Sequence, residues 1–311
     1  MQDTFLQDIV NHLSQNPKKL PSKYFYNQEG SKLFQMIMDM PEYYLTNSEY
    51  EILETQSEEI YHTIDSTKKY EIVEFGAGDG SKTKLLLKEF LKHQPDLIYS
   101  PIDISKSALD GLESNFKKDL PNLNINLHNN DYFSALESLS KKNTTKIVLF
   151  LGSNIGNFKD EQEFEFLKAI SQNLTKNDYI YIGFDLRKDP NIILDAYNDR
   201  TGITAKFNLN LLQRINDELG GNFDLTKFKH YPTYDPSTGE AKSYLISMAK
   251  QKVIIGAHEF QLEYAEPIFM EVSKKYTEQQ TEELAAKTGF KKIKNFYDCR
   301  HFFADSLWAV T

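Results

Sequence analysis

Short β-branched runs alternate with segments of helical apolar spacing through the middle of this chain, and that rhythm is its clearest feature. Tyr70 to Phe75 (YEIVEF) reads as a strand that breaks into glycines, and Lys82 to His93 carries apolar residues at helical intervals. The pattern predicts further strands at Leu97 to Ile102, Leu123 to Leu127, Lys146 to Leu151 and Tyr179 to Phe184. Helices are predicted between them at Ser107 to Phe116, Phe133 to Ser138 and Glu161 to Leu174. Strands separated by helices of that length need crossover connections, which implies a parallel sheet covered on both faces, a doubly wound α/β core.

The carboxyl end changes character. A helix from about Glu278 to Lys287 is opened by a capping box of Thr277 and Gln280 and closed by Gly289. Two strand-like runs follow, Lys292 to Tyr297 and Asp305 to Val310, joined by a short polar connection, which predicts an antiparallel hairpin added to the parallel sheet. Between Leu186 and Tyr276 the rhythm shifts again, to helices at Ile192 to Tyr197 and Asn208 to Leu219 and strand-like runs at Ser243 to Met248, Val253 to Ile255 and Phe260 to Leu262. With no repeat and no low-complexity linker, a second lobe has to be wrapped from flanking segments. The expected division is a core of residues 48–187 and 277–311 and a lobe of residues 1–47 and 188–276.

Composition narrows the classes. Among 311 residues, 40% are hydrophobic and 26% charged, so the disordered, collagen-like and coiled-coil classes fall away. A net charge of -9 opposes association with nucleic acid or anionic lipid, so neither is expected as a partner. The amino end lacks the basic start and apolar run of a signal peptide, and no window holds the ~18 consecutive apolar residues that cross a bilayer. The one cysteine, Cys299, has no disulfide mate, which suits a reducing cytoplasm. Its neighbours Asp298 and Arg300 give no reason to read it as a nucleophile. His128, His230 and His301 lack metal-ligand spacing, so no metal site is expected.

Candidate chemistry begins at the end of the first strand of the α/β core. Glu74, Gly76, Gly78 and Gly80 form EFGAGDG, where glycines let the backbone turn sharply and approach a ligand. A dinucleotide fingerprint places its third small residue five positions after the first glycine; here Gly80 is four positions after Gly76. Such a loop suits an amino acid zwitterion better than a pyrophosphate, and S-adenosylmethionine carries one. Asp103, in PIDIS, follows Gly80 by 23 residues, near the ~20-residue spacing at which a strand-end acid reaches ribose hydroxyls. Asp131 with Tyr132, in NNDYF, supplies a carboxylate for an adenine amino group and a ring to cover its face. Turn glycines and solvated carboxylates are common singly, but three such signals in order point to S-adenosylmethionine.

The runs LPSKYFYNQEGSKLF, MPEYYLTNSEYEIL, EFGAGDGSKTKLLL, PIDIS, FLGSNIGNF, GFDLRKDP, AYNDRTGITAKFNLNLL and MEVSKKY follow in this order from about Leu20 onward. Together they resemble the histidine Nα-methyltransferases of ergothioneine biosynthesis, a family that also resembles fungal dimethylallyltryptophan N-methyltransferases. The resemblance implies a Rossmann-like methyltransferase core with the terminal antiparallel hairpin, plus a second lobe that binds the substrate. It implies transfer of methyl groups from S-adenosylmethionine to the α-amine of histidine, up to trimethylhistidine. By resemblance, Asn157 holds the substrate's α-amino and α-carboxylate groups and Gly152 offers a carbonyl nearby. Tyr26 and Tyr197 contact the carboxylate end, Tyr43 faces the imidazole, and Glu271 with Ser273 bonds the two ring nitrogens. Lys82 joins the cofactor set. The family's histidine enzymes carry a Met beside the ring where this chain has Ser243.

Each residue also has a plainer reading. Glu271 follows the apolar run Ile268 to Met270, and a lone Glu at a strand end is usually solvated. Ser273, two residues on, would point the same way along a strand and complete a donor and acceptor edge. Asn157 sits in a turn where Asn often serves backbone geometry, and Tyr43 and Tyr44 suit packing as well as binding. Two rivals stand beside the histidine reading: an N-methyltransferase for another aromatic amino acid or amine, which Ser243 permits, and a non-catalytic S-adenosylmethionine-binding module. Oligomeric state leaves no mark in the sequence.

Overall fold

The computed structural model describes residues 2–65, 67–132, 134–135 and 144–311. The helix expected at Phe133 to Ser138 lies outside the described residues except for Ser134 and Ala135. By its own contacts the chain divides into two compact units, Leu45–Arg187 with Lys275–Thr311, and Met1–Tyr44 with Lys188–Lys274.

The first of these units is built on a seven-stranded sheet. Its strands are β1 (Tyr70–Phe75), β2 (Ile98–Ile102), β3 (Asn124–Ile125), β4 (Thr145–Phe150), β5 (Tyr179–Asp185), β11 (Phe290–Tyr297) and β12 (Phe303–Val310), in the order β11-β12-β5-β4-β1-β2-β3. The β1, β2, β3, β4 and β5 pairings are parallel; β12 runs antiparallel to both β5 and β11, as the hairpin prediction requires. All six residues of β1 and nearly all of β4 and β5 are buried, as strands covered on both faces must be. The helices of this unit are α3 (Tyr44–Thr63), α4 (Thr83–His93), α5 (Lys106–Asp119), α6 (Asp160–Asn173) and α9 (Glu278–Lys287). The capping box of Thr277 and Gln280 opens α9. Its core joins Val73, Phe75, Val148, Phe150, Phe166, Ile182, Phe184 and Trp308.

β3 is shorter than the predicted Leu123 to Leu127 because it is the edge strand, where alternate Asn residues face solvent and the ladder reduces to two pairs. α3 was not predicted: Glu51, Glu54, Glu58 and Glu59 dominate its pattern, while its inner face buries Ser48 and Glu49 beside Ile52 and Leu53.

The other unit holds α1 (Gln2–Leu13), α2 (Gln28–Met38), α7 (Pro190–Tyr197) and α8 (Ile203–Leu219). Its strands are β6 (Phe228–Asp235), β7 (Glu240–Ser247), β8 (Gln251–Ile255), β9 (His258–Leu262) and β10 (Pro267–Lys274). β7 lies between β10 and β6 in a three-stranded antiparallel sheet, and β8 pairs with β9. β6 escaped prediction because Pro232 interrupts it; as an edge strand it tolerates the missing N–H. Along β7 burial alternates, with Ala241, Ser243, Leu245 and Ser247 buried and their neighbours half-buried, so one face packs inward. Phe5, Ile9, Leu33, Phe207, Leu211, Leu245 and Ile268 share its core.

Candidate active site

β1 delivers the chain into its glycine loop at the carboxyl edge of the parallel sheet. Gly76 and Gly78 have φ of 72° and 56°, left-handed values that glycine reaches without strain. A Cβ at Gly76 would fall 2.6 Å from Tyr132 Oη, one at Gly80 would fall 2.7 Å from the Phe116 ring, and none at Gly78 would meet an atom within 4 Å. Gly80 therefore admits the packing of α5, Gly76 admits the tyrosine, and Gly78 turns an open surface outward. The Gly78 N–H donates to Asp103 Oδ2 at 3.0 Å, and Ser105 N–H donates to Asp103 Oδ1 at 2.8 Å. Burial raises the Asp103 carboxyl above its ordinary pKa, with these backbone N–H groups pulling the other way.

Glu74, expected on the ligand, sits beneath the loop. It is buried, Thr83 donates to it at 2.6 Å, and the Tyr99 hydroxyl donates to its other oxygen. Burial pushes its pKa up to about 7 against those two hydrogen bonds and nearby Lys82. The structure gives Glu74 the work of bracing the loop against α4 and β2.

Lys82 pairs with buried Glu49 of α3, whose Oε1 also accepts the Gly152 N–H at 2.7 Å. A Cβ at Gly152 would lie 3.8 Å from Lys82 Nζ and 3.5 Å from Asn154 Nδ2, and the same Nδ2 is 3.3 Å from the Cβ position of Gly76. Asn154 thus stands between the glycine loop and the end of β4. Asn157, chosen from the same motif, lies exposed at the far end of a single 3-10 turn, Asn154–Asn157. Asp131 accepts from Ser134 N–H at 3.0 Å and Ser134 Oγ at 2.7 Å, which caps the turn that carries Tyr132. Tyr132 packs edge-on against Phe75 and Phe150, leaving its hydroxyl over Gly76. Glu49 and Asn154 are not among the residues the sequence points to: Glu49 is one acid among many on α3, and nothing local sets Asn154 apart from Asn157 in the same motif.

The remaining candidates belong to the unit that contains β7. Tyr197, at the end of α7, donates to Ser273 Oγ at 2.9 Å. The Tyr43 ring meets Tyr197 edge-on at 6.4 Å and Phe34 at 6.4 Å, and Phe34 meets Tyr26 at 5.5 Å. Glu271 lies inside β10, not at its end. The β7–β10 register runs Ile268 opposite Leu245, then shifts after Phe269, so that Glu271 stands opposite Ser243 and Ser273 opposite Ala241. One extra residue in a strand exchanges its faces beyond that point. Glu271 and Ser273 consequently share the inward face of Ser243 and Leu245. The Ser243 hydroxyl is buried there and has no hydrogen-bond partner among the described residues.

No helix among the described residues is long and apolar enough to cross a membrane. Residues 5–310 match the family described as histidine-specific methyltransferase, SAM-dependent. The chain is 32% identical to the histidine N-alpha-methyltransferase of Mycobacterium tuberculosis over 306 residues, covering 97% of this chain and 94% of that protein. It is 30% identical to ergothioneine biosynthesis protein 1 of Schizosaccharomyces pombe, covering 89% of this chain and 37% of that protein. Among solved structures it is similar to an S-adenosylmethionine-dependent methyltransferase from Clostridium acetobutylicum, with TM-score 0.44, 11% identity, and 83% of this chain and 91% of that chain covered. On the match along nearly its whole length, this chain belongs to the histidine-specific, S-adenosylmethionine-dependent methyltransferases.

Proposed function

We propose that the chain transfers methyl groups from S-adenosylmethionine to the α-amino group of L-histidine, up to trimethylhistidine, in the cytoplasm. The observation that carries the choice of acceptor is the bulge in β10, which sets Glu271 and Ser273 on one face with Tyr197 bonded to Ser273. A carboxylate beside a hydroxyl offers an acceptor and a donor to the two unlike nitrogens of a neutral imidazole.

The loop fits the cofactor's polar groups. Gly78 offers an open backbone, Lys82 an ammonium for a carboxylate, and Asp103 a strand-end carboxylate for ribose hydroxyls. Gly76, Gly80, Asp131 and Tyr132 complete the set, with Glu74 as brace. S-adenosylmethionine, when bound, supplies a methyl group already activated by the sulfonium charge. The protein's part is orientation. In the unit that contains β7, Tyr26 and Tyr197 are assigned to the carboxylate end of the amino acid and Tyr43, Glu271 and Ser273 to the ring; in the α/β unit, Asn157 is assigned to the α-amino and α-carboxylate groups and Gly152 to the amine. Fixing both ends leaves the amine lone pair one direction to face, and such alignment supplies most of the acceleration in a displacement of this kind. The α-ammonium must first release a proton, so turnover rises with pH through the amine's titration.

Ser243 favours a second reading. A buried hydroxyl that finds no partner among the described residues, opposite Glu271 and smaller than a Met side chain, suits a larger or modified ring. Mass spectrometry after incubation with S-adenosylmethionine and each of the twenty amino acids decides between them: methylated histidine supports the first reading, and another product in its place replaces it.

A further inference from the structure

We propose that Glu49 is a positioning residue for methyl transfer, a buried carboxylate that ties Lys82 to the Gly152 amide and is itself held by a proton shared with Asp305. The proposal rests on the assignment of Lys82 and Gly152 to the reaction, made above.

Four elements converge on this carboxylate. From α3, Glu49 is fully buried; from the loop after β1, Lys82 reaches one of its oxygens; at the end of β4, Gly152 N–H donates to the other at 2.7 Å. The fourth is the sheet itself. Asp305 of β12 pairs directly with Gly183 of β5, and a Cβ on Gly183 would fall 2.3 Å from Glu49 Oε1. The carboxylate occupies the slot that the missing side chain leaves. An acid driven so deep into a core needs a reason, because an isolated buried charge costs several kcal/mol. Lys82 supplies one, and joining two separate loop ends supplies the other.

Asp305 completes the arrangement. It is fully buried, the Tyr181 hydroxyl donates to its Oδ2 at 3.2 Å, and its Oδ1 has no donor among the described residues. Burial first, and the Glu49 charge second, push its pKa well above the ordinary carboxylate range, against the pull of Lys82. A protonated Asp305 satisfies both facts, since its O–H donates to Glu49 and leaves no oxygen orphaned. Burial would lower the Lys82 pKa, but the Glu49 charge and its hydrogen bond hold it above the ordinary lysine value. The group is therefore one ammonium, one carboxylate and one carboxylic acid, with Tyr181 and Glu74 as the other titratable neighbours.

Three variants test this. Glu49→Gln leaves one acceptor for two donors, so an amide N–H faces either Lys82 or the Gly152 N–H, and the variant is expected to lower kcat at least tenfold at saturating substrates. Gly183→Ala leaves Glu49 intact but pushes its carboxylate out of the slot, and is expected to lower kcat in the same direction. Asp305→Asn keeps a donor toward Glu49 but one that cannot ionise, so the alkaline limb of the kcat profile should move to higher pH. Circular dichroism and titration of cofactor-competent sites express each kcat per folded molecule. If Glu49→Gln and Gly183→Ala keep kcat within twofold, or if the alkaline limb of Asp305→Asn stays where it was, the proposal is overturned. The comparison is run on whichever amino acid the unmodified enzyme methylates, so loss of the histidine reading and loss of this one give different results.

Discussion

Ser243 stands directly opposite Glu271 across the β7–β10 ladder, its hydroxyl buried and without a partner among the described residues. A site built around a carboxylate rejects a ring that cannot bond to it, because the acid is then desolvated without the hydrogen bond that the ring would supply. Glu271→Ala should therefore lose histidine by about 100-fold or more in kcat/KM, on the scale of such polar discrimination, while losing phenylalanine or tryptophan far less. A competition assay with equal histidine and tryptophan, read for methylated products, measures this. Tryptophan winning on the unmodified enzyme would remove the histidine assignment and leave the family and cofactor residues untouched.

The Tyr197 bond to Ser273 joins a residue assigned to the substrate carboxylate with one assigned to the ring. If the two act as one support, their effects are not additive. Tyr197→Phe and Ser273→Ala should each reduce kcat/KM for histidine, and the double variant should lose less than the sum, with a coupling of about 0.5–1.5 kcal/mol. Asn157→Ala, on a separate element, should add to either. Calorimetric affinity for S-adenosylmethionine is the control, expected to stay within twofold in all four proteins. Strict additivity of Tyr197 and Ser273 would separate their roles.

How much of this was legible in the sequence depended on what each residue contacts. β1 runs from Tyr70 to Phe75 as the β-branched pattern states, because Ile72, Val73 and Phe75 give it the apolar run of a strand covered on both faces even with Glu71 and Glu74 among them. The turn of the glycine loop and the strand-end position of Asp103 were legible because backbone turns and strand-end acids have local signatures. Glu49 was not: its importance comes from Lys82, Gly152 and Gly183, which lie 33, 103 and 134 positions away in the chain and leave no periodic trace. The bulge in β10 was equally hidden, since MEVSK reads as simple alternation and only the pairing with β7 reveals the shifted register. Glu74 was placed by motif on the ligand side, whereas alternation along β1 turns its side chain to Thr83 and Tyr99.

Asp103 binds two backbone N–H groups of its own unit, Gly78 and Ser105, so it holds the loop as well as any ribose. Asp103→Ala should weaken S-adenosylmethionine binding by about 1.5–3 kcal/mol, the scale of hydrogen bonds to a charged group. Asp103→Asn, which still accepts from Gly78, should lose less. Titration calorimetry on both variants gives the order. Equal affinity in all three proteins would move the ribose elsewhere.

Glu74 makes stability depend on pH in a direction opposite to most carboxylates. Its folded pKa is about 7, raised by burial from an ordinary 4.5. Between those values the native protein keeps a proton that the unfolded chain has released, so stability falls as pH rises through the window and levels off above it. The shift corresponds to about 3 kcal/mol. Glu74→Gln keeps the side-chain shape and an acceptor for Thr83 or Tyr99 but cannot ionise. Urea unfolding at pH values from 4.5 to 8 should show the variant gaining on the parent by up to that amount, all of it between pH 4.5 and 7. Asp103 and Asp305 are raised by burial too and slope the same way in both proteins, so they cancel in the difference. Parallel profiles for parent and variant would mean that Glu74 titrates normally, and the loop would then rest on an ionised brace at every pH above 5.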